Sequence, residues 1–345
     1  MRSPTEFDAV PVVDVSGLFS DDPARQAKVA EELGAAARDV GFLYVTGHNV
    51  PQHLYDGVLA AAKGFFAQPM ETKMASYIGK SRNHRGYVPE GEEGFGSGPK
   101  DKKEAFDLSI DLPDDPDYLA GNPMLGPNQW PDFPGFSEAV KDYYDATFAF
   151  GRVLMRGFAM ALGEPADVFD GFLVKPPSQL RLIHYPFNEE AEDRMGFGAH
   201  TDFECFTLLR STAPGLEVMN GAGQWIDSPP LDGAYTVNIG DMLELMTNGE
   251  FVATSHRVRK VKEERYSFPL FFNLDYHAEV KPLPRFVRAG ETPRPALLAG
   301  EHLYAQTIKA FAYLKERLAR GEIQMPGYAD EAAATFGREA KTAQG

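Results

Sequence analysis

The sequence contains very little cysteine: Cys205 is the single one among 345 residues. One cysteine cannot form an intrachain disulfide, and it excludes zinc sites that are built from several cysteines. Nothing therefore ties the chain to an oxidising compartment, and we predict a cytoplasmic protein. Because no catalytic histidine pattern accompanies Cys205, we expect it to be a packing residue and not a nucleophile.

Positive charge is also scarce. The chain has 34 lysines and arginines against 50 aspartates and glutamates, which gives a formal net charge of −16. Proteins that bind nucleic acid or anionic membranes through counterion release need an excess of basic side chains. The charge balance therefore argues against nucleic-acid and membrane partners and favours a small-molecule partner. No feature of the sequence indicates an obligate protein partner.

The sequence lacks a hydrophobic run of the length that a membrane span requires. The apolar stretch near the N-terminus is broken by Pro11 and has acidic residues on both sides, so it fits neither a signal peptide nor a span. The most helix-like apolar stretch, residues 148–162, carries Arg152 and Arg156. We expect this stretch to be an ordinary helix of a folded protein.

What the sequence does contain is typical of a globular protein, with 43% hydrophobic and 24% charged residues. After an opening with alternating strand and helix patterns, residues 81–103 are rich in glycine and proline, and we expect no regular element there. A helix is predicted over 136–162. From residue 178 onward, many short strand-like runs indicate a sandwich or barrel, and a single helix is predicted over 301–320.

One motif has the composition of a metal site. His200 and Asp202 are two residues apart, and on an extended strand such residues project from the same face. His256 lies on a different predicted strand. Two imidazoles and one carboxylate on one face of a metal leave other positions open, which suits non-haem Fe(II). Zinc can also accept this set, but no helical HExxH motif supplies the general base that a hydrolytic zinc site needs.

A second motif has the composition of an anion site. Arg265 and Ser267 also share one strand face, and together they would present a guanidinium and a hydroxyl to a carboxylate. An unpaired arginine that points into a barrel would gain its partner from an anionic ligand. The alternative is a surface arginine beside Glu263 and Glu264, and Arg265 and Ser267 alone do not decide between the two.

These motifs occur in an order that resembles a known family, the isopenicillin N synthase-like family of Fe(II)- and 2-oxoglutarate-dependent dioxygenases. The resemblance covers roughly residues 9–315. It is carried by HTD at 200–202, VNIGDMLELMTNGEFVATSHRV at 237–258, ERYSFPLFF at 264–272, and the N-terminal runs VPVVDVSGL and GFLYVTGHNV. The sequence departs from many members after the HTD, where it has Phe203, Glu204, Cys205 and Phe206.

The resemblance implies roles for six residues. Iron would be held by His200, Asp202 and His256. The distal carboxylate of 2-oxoglutarate would be held by Arg265 and Ser267, with Tyr185 assisting. The cofactors and co-substrates implied are Fe(II), 2-oxoglutarate and O2.

The resemblance also implies a fold that is mainly β with flanking helices, namely a double-stranded β-helix or jelly-roll barrel with an N-terminal α/β region and a C-terminal helix. We predict four regions. They are an N-terminal α/β region with a glycine-rich loop at 1–115, a linking region with a supporting helix at 116–177, a jelly-roll catalytic core at 178–290, and a C-terminal helix and tail at 291–345.

The implied function is an oxidoreductase that couples decarboxylation of 2-oxoglutarate to succinate with hydroxylation, desaturation or cyclisation of a small organic substrate. One alternative is an oxidase of the isopenicillin N synthase type, which uses O2 without 2-oxoglutarate, because some relatives bind a substrate carboxylate with Arg-x-Ser. A more remote alternative is a catalytically silent barrel that binds a small molecule.

The substrate is predicted to be small and to carry an anionic group. Strand alternation places Arg181 and Tyr185 on one face and His184 on the other, so Arg181 is a candidate for the anion, with a structural salt bridge as its alternative. The glycine-rich segment 81–98 is either a lid over the iron or a surface loop. The candidate substrate residues are Arg181, Arg85, Tyr87, Phe197 and Phe272.

Overall fold

The structure is a computed structural model that describes residues 5–94, 103–187, 195–259 and 262–327. The side chains of residues 195–197 also lie outside this description. In the described parts, strands from the N-terminal third and from the centre of the chain share one sheet. The domain boundaries given above stay a prediction.

The described elements comprise α-helices, strands and short 3-10 turns. The helices are α1 Pro23–Asp39, α2 Gln52–Phe66, α3 Met70–Ala75, α4 Pro116–Leu119, α5 Phe136–Ala161, α6 Asp241–Met246, α7 Ala299–Ala310 and α8 Ala312–Ala319. The strands are β1 Val12–Asp14, β2 Phe42–Thr46, β3 Gly86–Val88, β4 Glu104–Leu108, β5 Gln179–Tyr185, β6 Met195–His200, β7 Phe206–Ser211, β8 Leu216–Met219, β9 Trp225–Asp227, β10 Tyr235–Ile239, β11 His256–Arg259, β12 Arg265–Phe272, β13 Glu279–Val280 and β14 Leu297–Leu298. The 3-10 turns are Val15–Phe19, Ile78–Lys80, Asp170–Phe172 and Pro284–Phe286.

Two sheets form the centre of the molecule. The larger has eight strands in the order β1-β2-β10-β7-β12-β5-β4-β3, and the smaller has four in the order β6-β11-β8-β9. Both sheets contribute side chains to one central cavity, so they face each other across it. Helix α5 covers the outer face of the larger sheet, where Phe272 of β12 stacks on Phe148 of α5 at 5.3 Å. The main hydrophobic core therefore lies between this sheet and the helices outside it.

The expectation of no regular element over residues 81–103 was wrong in part, because β3 lies within it. Strand β3 pairs antiparallel with β4, and its three residues are buried. Gly86 makes this possible, since its φ is +118° and an added Cβ would lie 2.2 Å from the carbonyl oxygen of Ser76. By pattern alone, the glycines of this segment indicate only a loop. Glycine also allows two backbone segments to pack closely, as Gly86 does here.

The single helix predicted over residues 301–320 is two helices, α7 and α8. Phe311 separates them, with φ −99° and ψ 131°. Its extended backbone forms a β-bridge with Glu93, and neighbouring bonds run from Gly94 N to Ala310 O and from Ala312 N to Glu92 O, at 3.0 and 2.8 Å. Tertiary pairing with a distant segment overrides the local helical pattern at this point.

The length and hydropathy of the helices bear on the question of membrane insertion. Among the residues that the structure describes, no helix combines the length and the apolar character that crossing a bilayer requires.

Candidate active site

The cavity between the sheets has about 960 Å³ of space, part of which is open to solvent. From the larger sheet, alternate residues of β5 and β12 line it, beginning with Tyr185 and Arg265. From the smaller sheet, His200, His256 and Val258 line it. Helix α7 closes one side with Leu303, Thr307 and Ala310. Apolar and polar side chains both line the cavity, and the polar ones determine what it can bind.

Three of these polar residues could hold a metal ion. His200 ends β6 and His256 begins β11, and the antiparallel register places them directly opposite each other. Their Nε2 atoms lie 3.7 and 3.5 Å from Oδ1 of Asp202, and the three possible ligand atoms are all within 4.8 Å of one another. Each imidazole directs Nδ1 at a backbone carbonyl, of Gly198 and Thr254, at 2.9 and 3.3 Å. These bonds orient both Nε2 atoms toward one point beside Asp202, as the ligands of a single metal would be.

The second oxygen of Asp202 is held by the larger sheet. Its Oδ2 accepts hydrogen bonds from the Thr207 hydroxyl and from Asn238 Nδ2, the latter at 2.6 Å, so that Oδ1 faces the histidines. Burial opposes ionisation, but His256, His200 and Asn238 together keep the pKa of Asp202 below its ordinary value. Burial and the nearby His256 lower the pKa of His200 to about 3, so its imidazole is neutral, the form that binds metals.

The backbone around Asp202 is packed tightly against the turn that follows β10. Asp241 N donates to Asp202 O at 2.9 Å, and Gly240 N donates to Cys205 O at the same distance. A Cβ on Gly240 would lie 2.2 Å from the carbonyl oxygen of Glu204. Glycine at position 240 therefore allows the close approach that fixes the carboxylate ligand.

Arg265 lies at the other end of the cavity and is 1% exposed. Its Nε donates to Ala213 O at 3.1 Å, and its guanidinium lies 5.1 Å from the centre of the Tyr185 ring. Its Nη1 has no hydrogen-bond partner among the described residues. Ser267 lines the cavity on the same strand face. A buried cationic donor without a partner is costly, and a carboxylate ligand fits this position.

Known protein families match both halves of the chain. Residues 10–133 match the family described as non-haem dioxygenase in morphine synthesis N-terminal, and residues 176–274 match the 2OG-Fe(II) oxygenase superfamily. A curated relative is 36% identical over 328 residues, 89% of this chain. The chain belongs to the 2OG-Fe(II) oxygenase superfamily. It is an oxidoreductase that uses Fe(II) and 2-oxoglutarate and acts on a small substrate.

That relative is the 2-oxoglutarate-Fe(II) type oxidoreductase hxnY of Emericella nidulans, of which 93% is covered. Homoarginine-6-hydroxylase 2-ODD-233 of Oryza sativa subsp. japonica is 33% identical over 326 residues, 89% of this chain and 99% of the relative. The crystal structure of a full-length Neurospora crassa protein in complex with alpha-KG is similar, with a TM-score of 0.75 at 26% identity, covering 86% of this chain and 95% of the fungal one. These findings confirm the predicted jelly-roll fold, and the bound alpha-KG favours 2-oxoglutarate dependence over the oxidase alternative.

Three of the candidate substrate residues of this oxygenase do not line the cavity. Arg85 is fully buried and donates to the carbonyls of Asn83, His84 and Met124, so its charge supports a turn. Tyr87 is also fully buried, and its hydroxyl donates to Glu104 at 2.6 Å. Phe272 points to the outer helix α5, since strand alternation turns Phe271 inward and Phe272 outward. The geometry therefore gives these three residues structural contacts and no contact with the cavity.

Arg181 does line the cavity, but its charge is already balanced. Its Nε and Nη2 donate to the two oxygens of Asp107 at 2.7 Å, and its Nη1 donates to Glu93 at 2.7 Å. Lys103 lies 3.0 Å from the other oxygen of Glu93. These contacts favour the structural salt bridge over a substrate anion as the role of Arg181. The side chain of Phe197 lies outside the described residues.

We expect Arg181→Met to lower the free energy of unfolding by about 3–5 kcal/mol, because it leaves the buried carboxylate of Asp107 without the cation that binds both its oxygens and leaves Glu93 with Lys103 alone. Urea denaturation would measure the loss. Lys141→Met is the matched control: its pair with Asp145 is exposed, and its removal should change stability by less than about 0.5 kcal/mol. Equal effects of the two substitutions would contradict the ion-pair interpretation.

Two further expectations concern residues beside the site. Cys205 is buried, and burial raises the pKa of its thiol, which confirms a packing role. His184 faces away from the cavity as predicted, stacks on the Tyr266 ring at 4.7 Å, and binds Glu104 and Glu264. Neither residue takes part in the site.

Asn238, Gln179 and Glu204 are among the polar cavity residues for which the sequence predicted no role in the site. Asn238 fits the pattern of a turn or packing residue, although strand alternation in VNI turns it to the side opposite the apolar Val237 and Ile239. Gln179 lies on the inward face of β5 with Arg181, and alternation from Arg181 could have found it. Glu204 is buried beside Asp202, and burial together with Asp202 raises its pKa to about 8.

Proposed function

We propose that this oxygenase holds Fe(II) through His200, Asp202 and His256, and that it holds the distal carboxylate of 2-oxoglutarate through Arg265 with Ser267 and Tyr185. The observation that supports the second assignment most is the unpartnered, buried Nη1 of Arg265 among the described residues. A guanidinium with a free donor suits a carboxylate, and a charge-assisted bond in a buried site is strong.

The iron, when bound, supplies the redox chemistry by which 2-oxoglutarate is decarboxylated with O2 and the substrate is oxidised. The protein positions the groups that would hold the iron. The register between β6 and β11 orients both imidazoles, and Thr207 and Asn238 orient the carboxylate of Asp202. Helix α7 and the apolar strand residues limit the access of water to the substrate.

We propose a neutral substrate in place of the anionic one that the sequence indicated. Arg181 and Lys103 are each paired with acidic side chains, so neither offers a free charge to a substrate anion. Substrates vary among similar proteins, since the rice relative is named for homoarginine and the Neurospora crassa protein has been crystallised with thymine. Cytoplasmic localisation stays a prediction from the single cysteine.

The proposal is tested by incubating the Fe(II)-loaded protein with 2-oxoglutarate in air and measuring succinate. We expect succinate to form slowly without a substrate, to require both iron and 2-oxoglutarate, and to stop when a chelator removes the iron. Absence of succinate under all these conditions, in a protein that binds one iron per chain, would contradict the proposed function.

A further inference from the structure

The cavity extends well beyond the part that 2-oxoglutarate can occupy. Arg265 and Phe271 both face it from β12, six positions apart, which is about 20 Å along an extended strand. A five-carbon dicarboxylate that runs from Arg265 toward the metal ligands is too short to fill the Phe271 end as well. The groups at that end therefore face the substrate.

One of these groups is the amide of Gln179. The antiparallel register places Gln179 beside Phe271, and Thr207 lies on the other side of Phe271. All three side chains line the cavity, and Thr207 donates a hydrogen bond to the carboxylate of Asp202. Gln179 is 6% exposed, and its Nε2 has no hydrogen-bond partner among the described residues. A buried amide of this kind has the capacity to donate to a ligand.

The second group is the carboxyl of Glu204. Glu204 lies next to Cys205, whose N–H donates to Phe272 O, so the same end of β12 positions both Glu204 and Gln179. Glu204 is 3% exposed and lines the cavity. Its Oε2 accepts from the N–H of Phe203 at 3.1 Å, and no cationic side chain of the described residues pairs with it. In either protonation state, the carboxyl keeps an oxygen that accepts from an N–H group.

From these two groups we propose that Gln179 and Glu204 recognise an amide, lactam or imide group of a compact, neutral substrate. The substrate C=O accepts from Gln179, and its N–H donates to Glu204. A cation would leave the donor of Gln179 unused, and an anion would meet the carboxyl of Glu204. This inference rests on the proposed function, since it names the substrate class of the same site.

Binding is tested first with probes of matched size. The Fe(II)–2-oxoglutarate complex is titrated under nitrogen with benzamide, benzoate and benzylamine, and with δ-valerolactam and cyclohexanone, by calorimetry. We expect each amide to bind at least about tenfold more tightly than its matched analogues, because only the amide satisfies both buried groups. Equal or weaker binding of the amides would overturn the inference.

Substitutions then assign the two contacts. Gln179→Met and Glu204→Met should each raise the Kd of the amide probes by about 3- to 10-fold, the effect of one hydrogen bond. Glu204→Gln keeps an acceptor oxygen and should restore most of the binding. Gln324→Met, the same substitution at an exposed position, is the control and should bind as the wild type does.

The melting temperature, Tm, distinguishes a substrate-binding role of Gln179 from a structural one. Gln179→Met should leave Tm unchanged or raise it, because it removes a buried donor that has no partner among the described residues. A fall in Tm of several degrees would mean that the amide is a structural group, and the inference would be wrong. Failure of the proposed function would be seen separately in the wild-type protein. That protein would then form no succinate, whether or not it binds the amide probes.

Discussion

Asp202→Ala is expected to abolish substrate oxidation and to reduce iron from one per chain to nearly none. Asp202 is the single carboxylate among the proposed ligands, and its Oδ1 lies within 3.7 Å of the ligand nitrogens of both histidines. Removing it leaves two imidazoles and no carboxylate, a set that binds Fe(II) weakly. Iron would be measured by metal analysis after desalting, and activity by succinate formation.

The control for this substitution is Asp145→Ala, at an exposed helical position, which should keep full iron content and activity. A smaller effect on iron binding is expected at Asn238, whose side chain donates a hydrogen bond to Asp202 and is not itself a proposed metal ligand. Asn238→Ala should weaken iron binding by about 10- to 100-fold without unfolding the protein, as losses of ligand-supporting hydrogen bonds do elsewhere. Wild-type iron content in Asp202→Ala would refute the assignment of the metal site.

The second large effect is expected at the opposite end of the cavity. Arg265→Met should raise the KM for 2-oxoglutarate by about 30- to 5,000-fold, since truncating one partner of a buried charged pair costs about 2–5 kcal/mol. Fe(II) affinity should stay near that of the wild type, because Arg265 does not approach the metal ligands. Ser267→Ala removes a neutral hydroxyl, so its effect on KM should be smaller, about 3- to 10-fold.

Arg156→Met tests whether the effect comes from this particular guanidinium, because Arg156 is exposed and binds Asp170 on the outside of the molecule. It should leave the KM for 2-oxoglutarate unchanged. An unaltered KM in Arg265→Met, together with product formation in the absence of 2-oxoglutarate, would instead support an oxidase that does not use this co-substrate.

The parts of the site that could be predicted from sequence depend on local geometry. The spacing of His200 and Asp202, the alternation that turns Tyr185 inward and His184 outward, and the Arg-x-Ser pair all follow from the period of an extended strand. Family resemblance then linked His256 to the same centre.

The parts that could not be predicted depend on contacts between distant segments. Arg181 was ambiguous because its partner Glu93 lies 88 positions away, in a segment that carries no strand signal. Phe311 breaks a continuous helical pattern because Glu93 pairs with its backbone. Such pairings are set by the tertiary fold, which sequence periodicity does not encode.

In the proposed function, one atom of O2 enters succinate and the other is used to oxidise the substrate. Turnover under ¹⁸O2 with unlabelled 2-oxoglutarate, followed by mass spectrometry of the succinate, tests it most directly. Oxidative decarboxylation places one oxygen atom from O2 in the new carboxylate, so we predict succinate that carries one ¹⁸O atom. Substrate oxidation that yields no succinate, or succinate without the label, would contradict the account.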